Sequence, residues 1–391
     1  MLDLLTSFTQ ETRLLRLTTP LGADALVVEC LRGEEGVSQC YALHVTALSS
    51  NADIPLKSLL GQPALLELDS ALTGGPRHFH GHVTDVALLG ADGGLARYAL
   101  TIGPWYSFLH HGRDSRVFQD KNVLDILSAL FQSWESMGKL VPEWRFDVQD
   151  PGAYPVRSLT CQYQESNLDF AERLMREEGL FYYFEHSGAA DSDTFGSHVM
   201  VIADHNGSFQ PNAQPVVRFS QPGAVMREDS MDRWRTEARW TPDTLEVASW
   251  DYRSNDTRPV AAAGELIGGQ SHSSRDTPGA YAYQSREHGQ RIADQQLQAL
   301  EVTRETHVGA GTVRTLAPGT TFTLTGQAQL DLAAGDSERT FVAVRVLHLA
   351  HNNLSTDIKH QVSGLLGLSA LAQTIAKEQS GSLHAVGQDK G

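Results

Sequence analysis

A mainly β fold with an α+β centre is what the sequence predicts, and three observations predict it. Short strand-like runs broken by Gly-rich turns fill residues 12 to 103, two capped amphipathic helices follow with strand text beside them, and strand runs resume to about residue 350. At 391 residues the chain exceeds the size at which a single core usually stops growing, so two or three subdomains are expected.

The opening region reads as "RLLRLTT", "DALVVECL", "CYALHVTAL", "PALLELDS", "HFHGHVTDVALLG" and "ARYALTI", separated by turns such as "TGGPR" and "GADGGL". Many short strands without intervening helices imply an antiparallel barrel or sandwich. After Pro104, Asn122 and Asp125 stand as an N-cap and an acidic third helical position, and Ile126, Leu127, Leu130, Phe131 and Trp134 fall on one face. "VPEWRFDVQDPGAYP" reads as a Pro- and Gly-containing loop, and "LTCQYQ" as a strand. Ser166 and Asp169 then form a capping box, with Leu168, Ala171, Leu174 and Met175 on the buried side and Gly179 at a left-handed end. "LFYYF" leaves as a strand apolar on both sides. Further on come the strands "SHVMVIADH", "DRWRTEARW" and "TLEVASWDYR", a mobile polar stretch "AAAGELIGGQSHSSRDTPG", and a helix from Ser285 to Glu301. "GTVRTLAPGTTFTLTGQ" and "RTFVAVRVLHLAH" read as strands, "GLLGLSALAQTIAKEQ" as one helix before a frayed polar end, and no internal repeat is visible.

A net charge of -16 without a Lys/Arg cluster argues against a nucleic-acid binder. No apolar run is long enough for stable membrane insertion, and the opening "MLDLLTSFTQETRLL" lacks a signal peptide's basic start. Three cysteines, Cys30, Cys40 and Cys161, match neither a disulfide framework nor paired zinc-site spacing, which suits a reducing cytoplasm.

The densest charge lies in residues 161 to 186. Asp169 and Arg173, Glu172 and Arg176, and Arg173 and Glu177 stand four apart, so a solvated ladder of ion pairs is the favoured reading over an acid/base site, whose carboxylates need pKa values driven apart. His78, His80 and His82 alternate along a strand, where two imidazoles on one face can share a zinc ion; no acidic or cysteine partner is near, and a polar strand face is preferred. Phe181 to Phe184 reads as core rather than a stacking platform, and the final helix as packed back on the chain. Nucleophile-elbow, zincin, Walker and dinucleotide-binding motifs are absent, so neither catalysis nor a cofactor is expected.

"SRVFQDKNVLDILSALF", "CQYQESNLDFAERLMREEGLFYYFEH" and "VIADH", with "LLGQPALLEL", "RHFHGHVTDV" and "YALTIGPW" upstream and "RIADQQLQALE", "RTLAPGTTFTL" and "FVAVRVLHLAH" downstream, resemble the VgrG family of type VI secretion spike proteins and the related phage tail baseplate hubs. The resemblance spans residues 12 to 351 and implies two tube-like antiparallel β-barrels joined by a central α+β segment. The division expected is 1–108 for the first barrel, 109–187 for the central segment, 188–350 for the second barrel and 351–391 for a helical or flexible C-terminal segment leading to an absent OB-fold and needle. A non-enzymatic homotrimer is implied, seated on the hexameric Hcp tube among baseplate proteins. A needle with a PAAR tip and effectors would follow through the missing C-terminal part. Assembly in the cytoplasm and secretion through the type VI apparatus go with it. Arg116, Phe118, Gln119, Tyr163, Glu165, Ser166, Arg173, Glu178 and Gly179 match signature positions and carry over as structural or trimer-contact candidates. In "RHFHGHVTD" the matches are Phe79, Gly81 and Val83, not the histidines, and the segment after His351 has no family counterpart. The alternative is a cell-wall-degrading hydrolase using Glu165 with Asp169 or Glu172, or a metal-dependent enzyme.

Overall fold

The computed structural model describes residues 9–70, 75–135, 137–220, 228–266, 271–332 and 339–381. The first eight residues, the first two residues of the "TGGPR" turn, the "GGQ" part of the mobile stretch and the polar end lie outside the described residues.

Six strands open the chain: β1 (Leu15–Thr18), β2 (Val27–Gly36), β3 (Gln39–Ser49), β4 (Pro63–Leu68), β5 (Arg77–Asp92) and β6 (Leu95–Gly103). They pair antiparallel in the order β1-β4-β5-β6-β3-β2. Alternation selects the inner face, which gathers Leu15, Leu17, Leu43, Val45, Leu66, Tyr98, Leu100 and Ile102 into one core. Gly93 and Gly94, with φ of 59° and 84°, make the two-residue turn from β5 to β6 with a twist that suits adjacent strands.

A 3-10 segment, Trp105–His111, leads to β7 (Arg113–Lys121), α1 (Val123–Gln132), β8 (Trp144–Asp147), β9 (Arg157–Ser166), α2 (Asn167–Glu178), β10 (Phe181–Gly188) and β11 (Gly196–Ala203). β7 and β9 form a two-stranded ribbon, and β10, β11 and β8 a three-stranded sheet. β8 lies inside the stretch read as a loop; only four residues long, it owes its ladder to a parallel pairing with distant β11. β11 carries this sheet beyond residue 187. The apolar faces of α1 and α2 enter the same core as the first sheet, and Trp134 is buried in the turn just past α1.

β12 (Gln210–Phe219), β13 (Ser230–Ala238), β14 (Thr244–Asp251), β15 (Asp256–Ala263), β16 (Ser273–Ala280), α3 (Arg286–Val302), β17 (Glu305–Gly311), β18 (Thr320–Thr325), α4 (Ala328–Leu332) and β19 (Thr340–Ala343) follow. The second large sheet runs β17-β13-β12-β18-β19, and β12 pairs parallel with both β13 and β18, so this sheet is mixed rather than antiparallel throughout. β14, β15, β16 and α3 sit between β13 and β17 as a small sheet under its own helix, within the long connection that lets β18 return parallel to β12. Much of the polar stretch read as mobile is therefore ordered, in β15 and β16.

β20 (Arg345–His351) does not stay with the second sheet but pairs antiparallel with β2 at the edge of the first. Two helices, α5 (Thr356–Leu366) and α6 (Ala370–Gly381), replace the single terminal helix expected. Gly367 breaks them apart at φ 67°, and the Arg97 guanidinium donates to the carbonyls of Leu366 and Gly367 at 3.1 and 2.9 Å. Ile358 and Val362 then cover Val27, Leu48 and Leu95 on the outer side of the first sheet.

Phe131 is fully buried against Trp105, Tyr106 and Trp144, so Phe131→Ala is expected to lower stability by about 3–5 kcal/mol, read as a lower urea midpoint at unchanged m-value.

Candidate assembly site around the central helix

α2 begins and ends as its sequence requires. Ser166 Oγ accepts from the Asp169 amide at 3.0 Å and donates to the Asp169 carboxylate at 2.7 Å. Gly179, at φ 70°, returns its amide to the carbonyls of Met175 and Arg176.

The charged face departs from a ladder of exposed pairs. Of the three pairs four residues apart, Arg173 and Glu177 meet at 2.9 Å, while the other arm of Arg173 takes Glu165 of β9 at 2.6 Å. Asp169 serves the N-cap instead. Glu172 turns inward, accepting from the hydroxyls of Tyr182 at 2.8 Å and Tyr106 at 3.3 Å, and burial raises its pKa.

Glu178 departs furthest from a solvated reading. Its side chain is 1 % exposed and accepts from Arg157 of β9 and Arg291 of α3 at 2.6 Å each, with His288 of α3 at 3.3 Å. Burial alone would raise this carboxyl; the hydrogen bonds from His288 and Arg157 outweigh it and hold the pKa at about 2. One carboxylate thus joins the ribbon, α2 and the small second-half sheet that carries α3.

Ribbon residues divide by face. Phe118 stacks on Phe170 of α2 at 5.7 Å, and Arg116 donates to Asn167 at 2.9 Å. Gln119 and Tyr163 face outward; Tyr163 is 69 % exposed, beside Val117 at 57 % and Leu159 at 59 %. The nine signature residues therefore form no single site: Glu165, Ser166, Arg173, Glu178 and Gly179 frame α2, Arg116 and Phe118 pin the ribbon to it, and Gln119 and Tyr163 lie on the outer face.

The three histidines of β5 also separate. His78 sits at the rim, 3.6 Å from Glu67, while His80 and His82 are buried beside His198 of β11. The Trp105 amide donates to His198 Nε2 at 2.9 Å, which places the ring proton on Nδ1 and removes that nitrogen as a metal ligand. Among the described residues no group of three or more His, Cys, Asp or Glu is arranged to hold a metal ion.

Whether the acids of α2 make a catalytic arrangement depends, among the described residues, on where their oxygens point. An open groove of about 440 Å³ beside α2 contains Glu172, Asp169, Arg176 and Cys40, but the Glu172 oxygen facing the core is held by two tyrosines, and burial pushes the Cys40 thiol up to about 12. No helix among the described residues is long and apolar enough to cross a membrane.

The phage tail baseplate hub (GPD) family matches residues 34–354. The chain belongs to this family. Hub relatives include the type VI secretion system spike proteins VgrG1b and VgrG1a of Pseudomonas aeruginosa, 30% and 29% identical over 339 and 340 residues, or 82% of this chain in each case. The chain spans less than half the length of these relatives, 42% and 48%. The hub fold recurs in an E. coli type VI secretion component, c3393, described as similar to the T4 tail proteins gp27 and gp5, with a TM-score of 0.59 at 16% identity over 87% of this chain and 74% of that one. A Neisseria meningitidis tail protein gives 0.57 at 12% identity, covering 87% of this chain and 92% of the other. Both large curled sheets and the mainly β content agree with this hub architecture.

Two outcomes test the hub's internal bonds. Glu178→Gln leaves Arg291 without its counter-charge and Arg157 with Glu177 alone, and is expected to cost about 3–5 kcal/mol at neutral pH in urea denaturation. Because the folded pKa lies below the ordinary 4.5, the stability this group supplies is complete above that value and is lost as pH falls toward 2, a loss the variant lacks. Gly179→Ala forces a side chain into the left-handed region and is expected to lower stability by about 1–2 kcal/mol, measured by the same titration.

Proposed function

We propose that this chain is the hub portion of a type VI secretion spike: a structural component that assembles as a homotrimer, seats on the hexameric Hcp tube within the baseplate and supports a puncturing tip. The observation that carries the reading is the hub-family match from residue 34 to 354, together with VgrG relatives over 82% of the chain. A PAAR tip protein and effectors belong to the same reading as partners of the assembled spike. Assembly takes place in the cytoplasm, and the spike leaves through the type VI apparatus.

The outer face of the ribbon supports threefold assembly. Two-stranded ribbons are marginal alone, and this one covers only its inner face with α2. Val117, Leu159 and Tyr163 remain in water as an apolar row, and we assign that row, with Gln119, to contact between subunits. The remaining signature residues act behind it by fixing the ribbon on α2. A stable ring of this kind buries more than about 2,000 Å² per contact, so further surfaces take part.

An enzymatic reading has less support. Glu165 is paired with Arg173, Asp169 with a helix cap, and Glu172 with two hydroxyls, so no two of these acids are free to flank a substrate.

Light scattering of the chain at roughly tens of micromolar is expected to give three times the mass of one subunit. The paired variant Val117→Lys with Leu159→Lys shifts the equilibrium toward monomer with the circular dichroism spectrum unchanged. A monomeric mass for the unaltered chain overturns the trimer. Peptidoglycan release that disappears in Glu165→Gln instead supports the hydrolase.

A further inference from the structure

We propose that the histidine junction between the first sheet and the three-stranded sheet is a proton-gated seam, closed while its imidazoles are neutral and the first part of the fold to open on acidification. The proposal rests on geometry within one chain and stands apart from the hub reading.

Three strands and one turn meet there. β5 supplies His80 and His82, β10 His186, β11 His198, and the 3-10 segment the amide of Trp105. His80, His82 and His198 are 2 %, 1 % and 1 % exposed, with ring centroids between 5.1 and 5.8 Å apart.

Hydrogen bonds fix where each proton lies. His80 Nε2 donates to the Thr194 carbonyl at 2.7 Å, which leaves Nδ1 as an acceptor. His198 Nδ1 donates to that nitrogen at 2.9 Å, and His198 Nε2 accepts the Trp105 amide at 2.9 Å. Every nitrogen of this pair is in use, so a second proton on His80 faces the His198 N–H and a second proton on His198 faces the Trp105 N–H. Either one breaks a bond that crosses between the sheets or to the turn. His82 Nε2 donates to the Lys139 carbonyl at 3.3 Å, and its buried Nδ1 has no partner, which makes it the first open site for a proton.

The surroundings offer little compensation. Tyr41 of β3 spends its hydroxyl on the His80 carbonyl at 2.6 Å, and the His80 amide donates to His186 Nδ1 at 3.2 Å. Beyond His186 lies the Glu35 carboxylate of β2 at 3.5 Å, already matched by Arg77 of β5 at 2.6 Å and His348 of β20 at 2.7 Å. His78 stands at the rim of β5 with Glu67 of β4. Burial drives His80 and His82 down to about 4 and His198 well below its ordinary value, with neighbouring imidazoles opposing charge as well. A depressed folded pKa means that the unfolded or opened state binds more protons between about pH 6.5 and 4, so closure weakens as pH falls through that window.

Hydrogen exchange on the intact chain, corrected for intrinsic rates, reads the opening at each amide. From pH 6.5 to 4.5 the amides of Trp105 and His80 are expected to lose protection by about tenfold per pH unit for each histidine involved, before those pairing β2 with β3. His82→Phe lowers that slope by one proton, and His307→Gln, on β17 outside the junction, leaves it unchanged. Ring titration of the unaltered chain by NMR supplies a readout that does not depend on any variant folding. Three junction rings titrating near 6.5 in the folded state overturn the proposal, as does simultaneous loss of protection in every sheet, or a slope in His82→Phe equal to that of the unaltered chain.

Discussion

Seven residue pairs join β20 to β2, from Cys30 opposite His351 to Gly36 opposite Arg345, and the rest of the fold depends on them. Closing so long a loop adds little entropy beyond that of a moderate one, because the cost grows only with the logarithm of length. What the pairing brings is specific. It covers the free edge of β2, and it delivers His348 to Glu35, a carboxylate 4 % exposed. Arg77, which matches the charge of Glu35, also donates to the Thr315 carbonyl at 3.0 Å, while Arg314 returns a hydrogen bond to the Asp69 carbonyl at 2.9 Å. The two halves therefore grip one another through main-chain acceptors as well as through the shared strand.

Charge in this protein sorts into two kinds. Pairs such as Arg145 with Glu185, 44 % and 42 % exposed, are screened by water and contribute little. Glu35 and Glu178 are withdrawn from water, and each is surrounded by two or more cationic or ring donors, so removal of one partner strands the others. Glu35 and Glu178 each sit where separate sheets and helices meet. Their chemistry is that of joints: perturbed far from ordinary values, yet with the acceptor capacity consumed by the protein itself.

Local signals survived folding well. Asn122 and Ser166 cap α1 and α2 with Asp125 and Asp169 at the third position, Gly179 ends α2 left-handed, and Ser285 opens α3, all as their neighbours in sequence require. β7 and β12 were invisible because their sequences are largely polar and β8 because its four residues sit in a Pro- and Gly-containing stretch, and pairing with a partner far along the chain decides each. Alternation along β5 exposed His80 and His82 as a pair on one face, but nothing nearby named His198 or His186 as their neighbours. Spacing on α2 likewise suggested exposed pairs, whereas Arg157 and Arg291 reach Glu178 from other elements and bury it. The one signal available was the cluster of ionised groups beside an apolar run at Phe181 to Phe184.

Asn352 and Asn353, just past β20, hold the chain's first strand. Asn352 donates to the carbonyls of Leu15 and Val28 at 2.9 and 2.8 Å, and the Leu14 amide donates to Asn353 at 2.8 Å. The start of the first strand and the end of the last therefore share one corner of the molecule, from which α5 and α6 run on over the first sheet. A passenger domain fused ahead of β1 would hang from that corner, whereas one inserted directly after β20 would part α5 and α6 from the sheet they cover.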